Sequence, residues 1–165
     1  MINTILVVVP HEDDEINLAG ATIYKAKQEK RRVICVFVTN GDWLYSADIR
    51  MKEALQSLRI LGVPEEDTIF LGYPDGGTHA ERSIFMHGKD NVLNANGRTH
   101  TYGSQYKKDF ATEEYGHPHA YRWENLLMDL KNIILKYKPE MIIGTDFDNH
   151  PDHRMCSIAL DTAMG

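Results

Sequence analysis

Apolar residues in this 165-residue chain cluster in two ways: short unbroken runs, and longer stretches where they recur every three or four positions. The first run, Thr4-Ile5-Leu6-Val7-Val8-Val9, is uninterrupted and mostly β-branched, as in a strand buried on both faces of a parallel sheet. Val33 to Thr39, Thr68 to Leu71 and Met141 to Gly144 repeat the pattern. Between and after them, Ile16 to Lys30, Ile49 to Leu61, Tyr121 to Lys138 and Met155 to Ala163 carry helical spacing. In the first of these, Ile16, Ala19, Ile23 and Ala26 share one face. Strand thus alternates with helix, which predicts a single α/β domain over residues 1–165 built on a parallel sheet. The region around residues 78–120, rich in Gly, Asn, His and Tyr, has no such period and is expected to be a long irregular insertion.

Composition narrows the partners. The formal charge is −6 and the pI about 5.7, so no basic stripe for nucleic acid is expected. The compact basic run Lys30-Arg31-Arg32 is read as cations at a helix C-terminus. Cys35 and Cys156 fall in apolar or helical segments and read as buried thiols rather than a disulfide. The run Ile5 to Val9 is too short for a membrane span or a signal sequence, and a cytoplasmic location is expected.

The polar clusters all follow strands, where open α/β sheets form their ligand crevice. Pro10-His11-Glu12-Asp13-Asp14-Glu15 places an imidazole and a carboxylate three residues apart at a strand-to-helix junction. Both are ordinary zinc ligands, although acidic residues there also suit a helix cap. Asp148-Asn149-His150-Pro151-Asp152-His153 follows the fourth run, in the predicted loop before the last helix, and brings two histidines three apart. Taken alone it is also a polar loop with Asp152 as N-cap. Together the clusters should meet at one sheet edge, two ligands from one and one from the other, leaving the open position of a catalytic zinc site. The spacing does not say which of His150 and His153 is the ligand. No Gly-x-Gly-x-x-Gly follows the first strand, which argues against a nucleotide-binding site.

The chain resembles the PIG-L/LmbE-like deacetylases. His11 to Glu15 is similar to that family's His-x-Asp-Asp-Glu signature, and His150-Pro151-Asp152-His153 to its second motif. Thr39-Asn40-Gly41, Arg50, Glu53, Leu61-Gly62-Val63 and Leu71-Gly72-Tyr73-Pro74-Asp75-Gly76 match between them, so the resemblance spans essentially the whole chain. It implies a Rossmann-like three-layer sandwich with a mostly parallel sheet, and a Zn2+-dependent hydrolase (with another divalent metal as the alternative) that removes the N-acetyl group from an N-acetylglucosamine-type sugar or conjugate. By resemblance His11, Asp14 and His153 hold the metal, Asp13 is the general base, and His150 assists. Arg50 and Asp75 match sugar-contacting positions; from the residues alone, Arg50 could pair with Glu53 and Asp75 could serve a turn.

Two departures stand out. Glu12 occupies a position where the family often has Pro, and Asp148 one where some members have Tyr. The residues also leave open whether Asp13 or His150 protonates the leaving amine. Metal-dependent hydrolysis of another acylated amine, a non-catalytic carbohydrate- or metal-binding module, and a homo-oligomer are the alternatives. His79, His87, His100, His117 and His119 are expected to be solvated loop residues, with His117-Pro118-His119 as a second-metal alternative. Tyr102, Tyr106, Tyr115 and Tyr121 are read as pocket lining or a small satellite core. Family members extend past the second motif, so a C-terminally truncated member is the expectation.

Overall fold

The structure, a computed structural model, describes residues 3–78, 84 and 92–165. His79 and His87 lie outside the described residues. Four strands, β1 (Thr4–Val9), β2 (Arg32–Thr39), β3 (Thr68–Tyr73) and β4 (Met141–Gly144), form one sheet in the order β3-β2-β1-β4. Every pairing is parallel, with Val7 opposite both Cys35 and Ile143. Among the described residues five α-helices accompany it: α1 (Asp14–Gln28), α2 (Ala47–Ile60), the short α3 (Phe110–Tyr115), α4 (Trp123–Tyr137) and α5 (Pro151–Met164).

The alternation of strand side chains builds two cores. Ile5, Val7, Val9, Val33, Cys35 and Phe37 pack with α1 and α2 on one face. Leu6, Val8, Ile34, Val36 and Val38 pack with α4 and α5 on the other. Strands buried on both sides cannot alternate apolar with polar residues, so the uninterrupted runs read as they do. The result is the three-layer α/β sandwich expected from the sequence. Both cysteines are free and buried, and no helix among the described residues is long and apolar enough to cross a membrane.

Several boundaries differ from those the sequence predicts, each for a local reason. Helix α2 begins at Ala47 because Ser46 caps it, accepting from the Ile49 N–H. On α1 the inward face is Glu15, Ala19, Ile23 and Ala26, while Ile16 is exposed. Arg32 does not end a helix: it opens β2 and reaches Asp67 Oδ1 at 2.6 Å. Among its described residues the insertion holds α3 and two antiparallel bridges, Ala95 with Arg98 and His100 with Ala120.

The largest correction concerns α5. It starts at Pro151, four residues earlier than the periodicity suggests, with His150 rather than Asp152 as its N-cap. Proline suits the first helical position because that N–H has no intrahelical partner. His153 therefore sits on the first turn of a helix, not on a loop.

Within the insertion, His119 is not solvated. It is buried, with Nδ1 3.0 Å from Asp129 Oδ1, and Asp129 also accepts from the Tyr73 hydroxyl at 2.7 Å. Burial pushes the Asp129 carboxyl up, against the pull of Tyr73 and His119. Tyr121 belongs to the main core rather than a satellite one.

Candidate metal centre

Strands β1 and β4 are neighbours, so the segments leaving their C-terminal ends meet above the sheet. His11 follows β1, Asp14 opens α1, and His150 and His153 sit at the start of α5. Asp14 Oδ2 lies 3.2 Å from His11 Nδ1 and 3.4 Å from His153 Nε2. It also accepts from the His11 backbone N–H at 3.1 Å. Asp14 therefore touches both of the other predicted ligands, His11 and His153, whose ring centroids lie 5.4 Å apart.

The far nitrogen of each imidazole is held by a different carboxylate. His11 Nε2 lies 3.2 Å from Asp152 Oδ2, and His153 Nδ1 lies 2.7 Å from Asp148 Oδ2. A carboxylate on the outer nitrogen fixes the tautomer so that the inner nitrogen keeps its lone pair for a metal. These contacts shift the proton equilibria of His11 and Asp14. Burial disfavours charge on His11, but Asp14, Asp152 and Asp75 together push it well above the usual imidazole range. Burial likewise works against Asp14, yet His11 and His153 hold it far below the usual carboxylate range.

Asp152 is fully buried and accepts from the Gly76 N–H at 3.0 Å. Asp75 Oδ1 accepts from the Gly77 N–H at 2.6 Å, and its Oδ2 lies 3.7 Å from His11 Nε2. Asp75 thus serves the turn before Gly77 and forms part of the cleft wall. In each of two sets, His11, His150 and His153, and His11, Asp75 and Asp152, the donor atoms lie within 4.8 Å of one another. The carboxylates of the second set meet His11 at Nε2, where Asp152 is already bonded, and hold that imidazole from the side away from Asp14. We expect Asp152→Asn to weaken divalent-metal affinity about 10–100-fold, measured by competition with a chromogenic chelator. Unchanged affinity would remove Asp152 from that supporting role.

His150 differs from its neighbours. Its Nδ1 accepts from the Asp152 N–H at 3.2 Å, so in the neutral ring Nε2 carries the proton. Burial, then the charges of His11 and His153, pull its pKa down. Its ring centroid lies 4.8 Å from those of both His11 and His153.

Asp13 occupies the N-cap of α1 but makes no side-chain capping bond. Its carboxylate instead lines a cleft of about 190 Å³ with His11, Gly41, Arg50, Asp75 and His150. Arg50 does not pair with Glu53: its Nε lies 3.7 Å from Glu12 Oε2 and an Nη 3.6 Å from Asp13 Oδ1. Glu12 is buried behind it, and burial raises its carboxyl to about 8. Gly41 makes the approach possible. It has φ of 55°, and a Cβ there would collide with Glu12 Oε2 and Arg50 Nε.

The other motif residues are stitching. Thr39 donates to the Pro10 carbonyl from both its N–H and its hydroxyl, joining the ends of β1 and β2. The Asn40 amide donates to the carbonyls of Gly72 and Tyr102, tying β3 and the insertion to the same edge. Sequence reasoning alone gives Asp148, Asp152 and Glu12 no role at the site. The alternation of carboxylate and histidine in the second motif is the signal that points to the first two.

The family model described as GlcNAc-PI de-N-acetylase (PIG-L) matches residues 6–164. Among solved structures, the chain is similar to the N,N'-diacetylchitobiose deacetylase of Pyrococcus horikoshii, with a TM-score of 0.64 and 23% identity over 98% of this chain and 49% of that one. It is similar to the zinc-inhibited form of the teicoplanin deacetylase Orf2, with a TM-score of 0.61 and 19% identity over 98% and 63%. The 4-carboxy-2-hydroxymuconate hydratase GalB of Pseudomonas putida KT2440 shares the fold as well, with a TM-score of 0.59 and 15% identity over 98% and 55%. The chain spans between about half and two thirds of the length of these proteins. With both motifs in place and the family match running almost from end to end, the chain belongs to the PIG-L family.

Proposed function

We propose that this chain is a metal-dependent N-deacetylase that releases acetate from an N-acetylglucosamine-type sugar or conjugate. The observation that carries the metal site is the shared Asp14 Oδ2, set between two imidazoles whose outer nitrogens are each held by a carboxylate. Two nitrogens and one carboxylate oxygen suit Zn2+ or another divalent ion and leave room for water or substrate. The substrate class rests on the family description and the diacetylchitobiose and teicoplanin deacetylases.

In this reading His11, Asp14 and His153 hold the metal. When bound, it would polarise the acetamide carbonyl and acidify water in the cleft. Asp13, with its carboxylate facing the cleft and free of capping duty, takes the proton of the attacking water. His150 offers an N–H on the cleft side to the charge that develops on oxygen, or to the departing amine. Arg50 and Asp75 line the wall where sugar hydroxyls would lie. The 165 residues are taken as one domain with the insertion as one rim. A cytoplasmic setting is in keeping with two free buried thiols.

The test is acetate release from N-acetylglucosamine and its conjugates, with bound metal measured in parallel. Activity should vanish on chelation and return with an added divalent ion. Release from other acylated amines but not from the sugars would move the substrate assignment. A protein that neither holds nor takes up a divalent ion would sink the proposal.

A further inference from the structure

Glu12 lies between β1 and α1 with its side chain wholly out of solvent, and neither carboxyl oxygen has a hydrogen-bond partner among the described residues. The Nε–H of Arg50, at the end of the first turn of α2, is buried and lacks one too. The two orphans face each other, with Oε2 3.7 Å from Nε. Folded chains rarely bury an acceptor and a donor unpaired, because each loses its water without compensation. A movement of about half an ångström brings this pair within hydrogen-bond distance. Gly41, whose N–H donates to the Thr39 hydroxyl at 3.3 Å, keeps the space beside them open, since a Cβ there would press on both atoms. At its other end the guanidinium lines the cleft, an Nη 3.6 Å from Asp13 Oδ1.

We propose that Glu12 is a positioning residue: its carboxyl oxygen anchors the Arg50 Nε–H and fixes the guanidinium in the cleft wall, where the Nη groups meet substrate. The part played toward substrate rests on the deacetylase reading, whereas the anchor itself does not. A long side chain left mobile must be ordered when a ligand binds, at a cost in affinity, and one held beforehand avoids that cost. The guanidinium is planar, so holding it at Nε also sets the direction of its Nη groups. Asp13 is a poor substitute anchor, because it is 58% exposed and an exposed pair of charges binds weakly. Burying a carboxyl beside a guanidinium is itself weak support for a fold, so what the pair supplies is position. Proline, frequent at this place in the family, has no side-chain oxygen to offer; the anchor belongs to this chain's own Glu12.

The test reads Arg50 directly, through its Nε–H signal in proton–nitrogen NMR spectra of the purified protein, identified by its absence from Arg50→Lys. In the parent that proton should exchange with water at least about tenfold more slowly than those of exposed arginines. Glu12→Ala should abolish the protection. Glu12→Gln, which keeps the shape and an acceptor oxygen, should retain it. In acetate release, Glu12→Ala should raise KM about tenfold with a smaller change in kcat, as when binding shared by ground and transition states is lost. With Arg50 already replaced by alanine, the same substitution should leave KM unmoved. An Nε–H equally protected in Glu12→Ala, or an equal rise in KM without Arg50, overturns the proposal. The NMR measurement needs no turnover, so the two ideas fail separately. A protected Nε–H that depends on Glu12, in a protein that releases no acetate, keeps the anchor and rejects the deacetylase.

Discussion

Asp13→Asn is expected to lower the rate constant for acetate release by about 10²–10⁴-fold, the usual worth of a positioned proton acceptor, while the metal stays bound. The two adjacent aspartates are separated by where their carboxylates go. Asp14 is turned in against His11 and His153. Asp13 stays 58% exposed, with only the Arg50 guanidinium near it at 3.6 Å among its ion-pair partners in the described residues. An amide in its place keeps the shape and the contact with the cleft but cannot take a proton from water. Single-turnover kinetics with parallel metal analysis decides the matter. Parent-like turnover would assign the base elsewhere, and loss of the metal would make Asp13 a ligand.

The second large effect is on stability. Phe37→Ala should destabilise the fold by about 3–5 kcal/mol, a large part of the roughly 5–15 kcal/mol available to a domain. Phe37 is fully buried on the α1/α2 face of β2, and its ring stacks on Phe70 with centroids 5.1 Å apart. Removing it leaves a cavity bounded by strands whose hydrogen bonds hold them in place, so the site can collapse little. Urea unfolding would show it as a lower midpoint. A midpoint close to the parent's would mean that the layers slide to fill the gap.

The sheet is legible in the sequence because its strands are buried on both faces, and such strands leave plain apolar runs. Thr4–Val9 and Met141–Gly144 match the structure to the residue. The ligand candidates are legible for a related reason: His11, Asp14 and His153 lie directly beyond those runs, and neighbouring parallel strands bring their C-terminal ends together. Other features depend on partners far away in sequence. Glu12 reads as one more acidic residue until Arg50 and Gly41 are seen beside it. His119 reads as a loop histidine until Asp129 is placed against it. Periodicity alone misplaces the start of α5, although Pro151 after a polar residue marks a helix beginning. Asp148 reads as a missing tyrosine until its bond to His153 gives it a different task.

The position of the two motifs on the sheet has a consequence for local unfolding. His11 hangs from β1, which is paired on both sides and fully buried. His153 follows β4, a four-residue strand with half-exposed side chains, paired in the described residues with β1 alone. Backbone amides of β1 are therefore released to solvent only when the whole domain opens, whereas β4 and the first turn of α5 can open alone at lower cost. An ion held by His11, Asp14 and His153, as proposed, would tie the looser part to the firmer one. Its binding free energy would be felt mainly as slower opening of β4 and α5, with the central strand hardly changed.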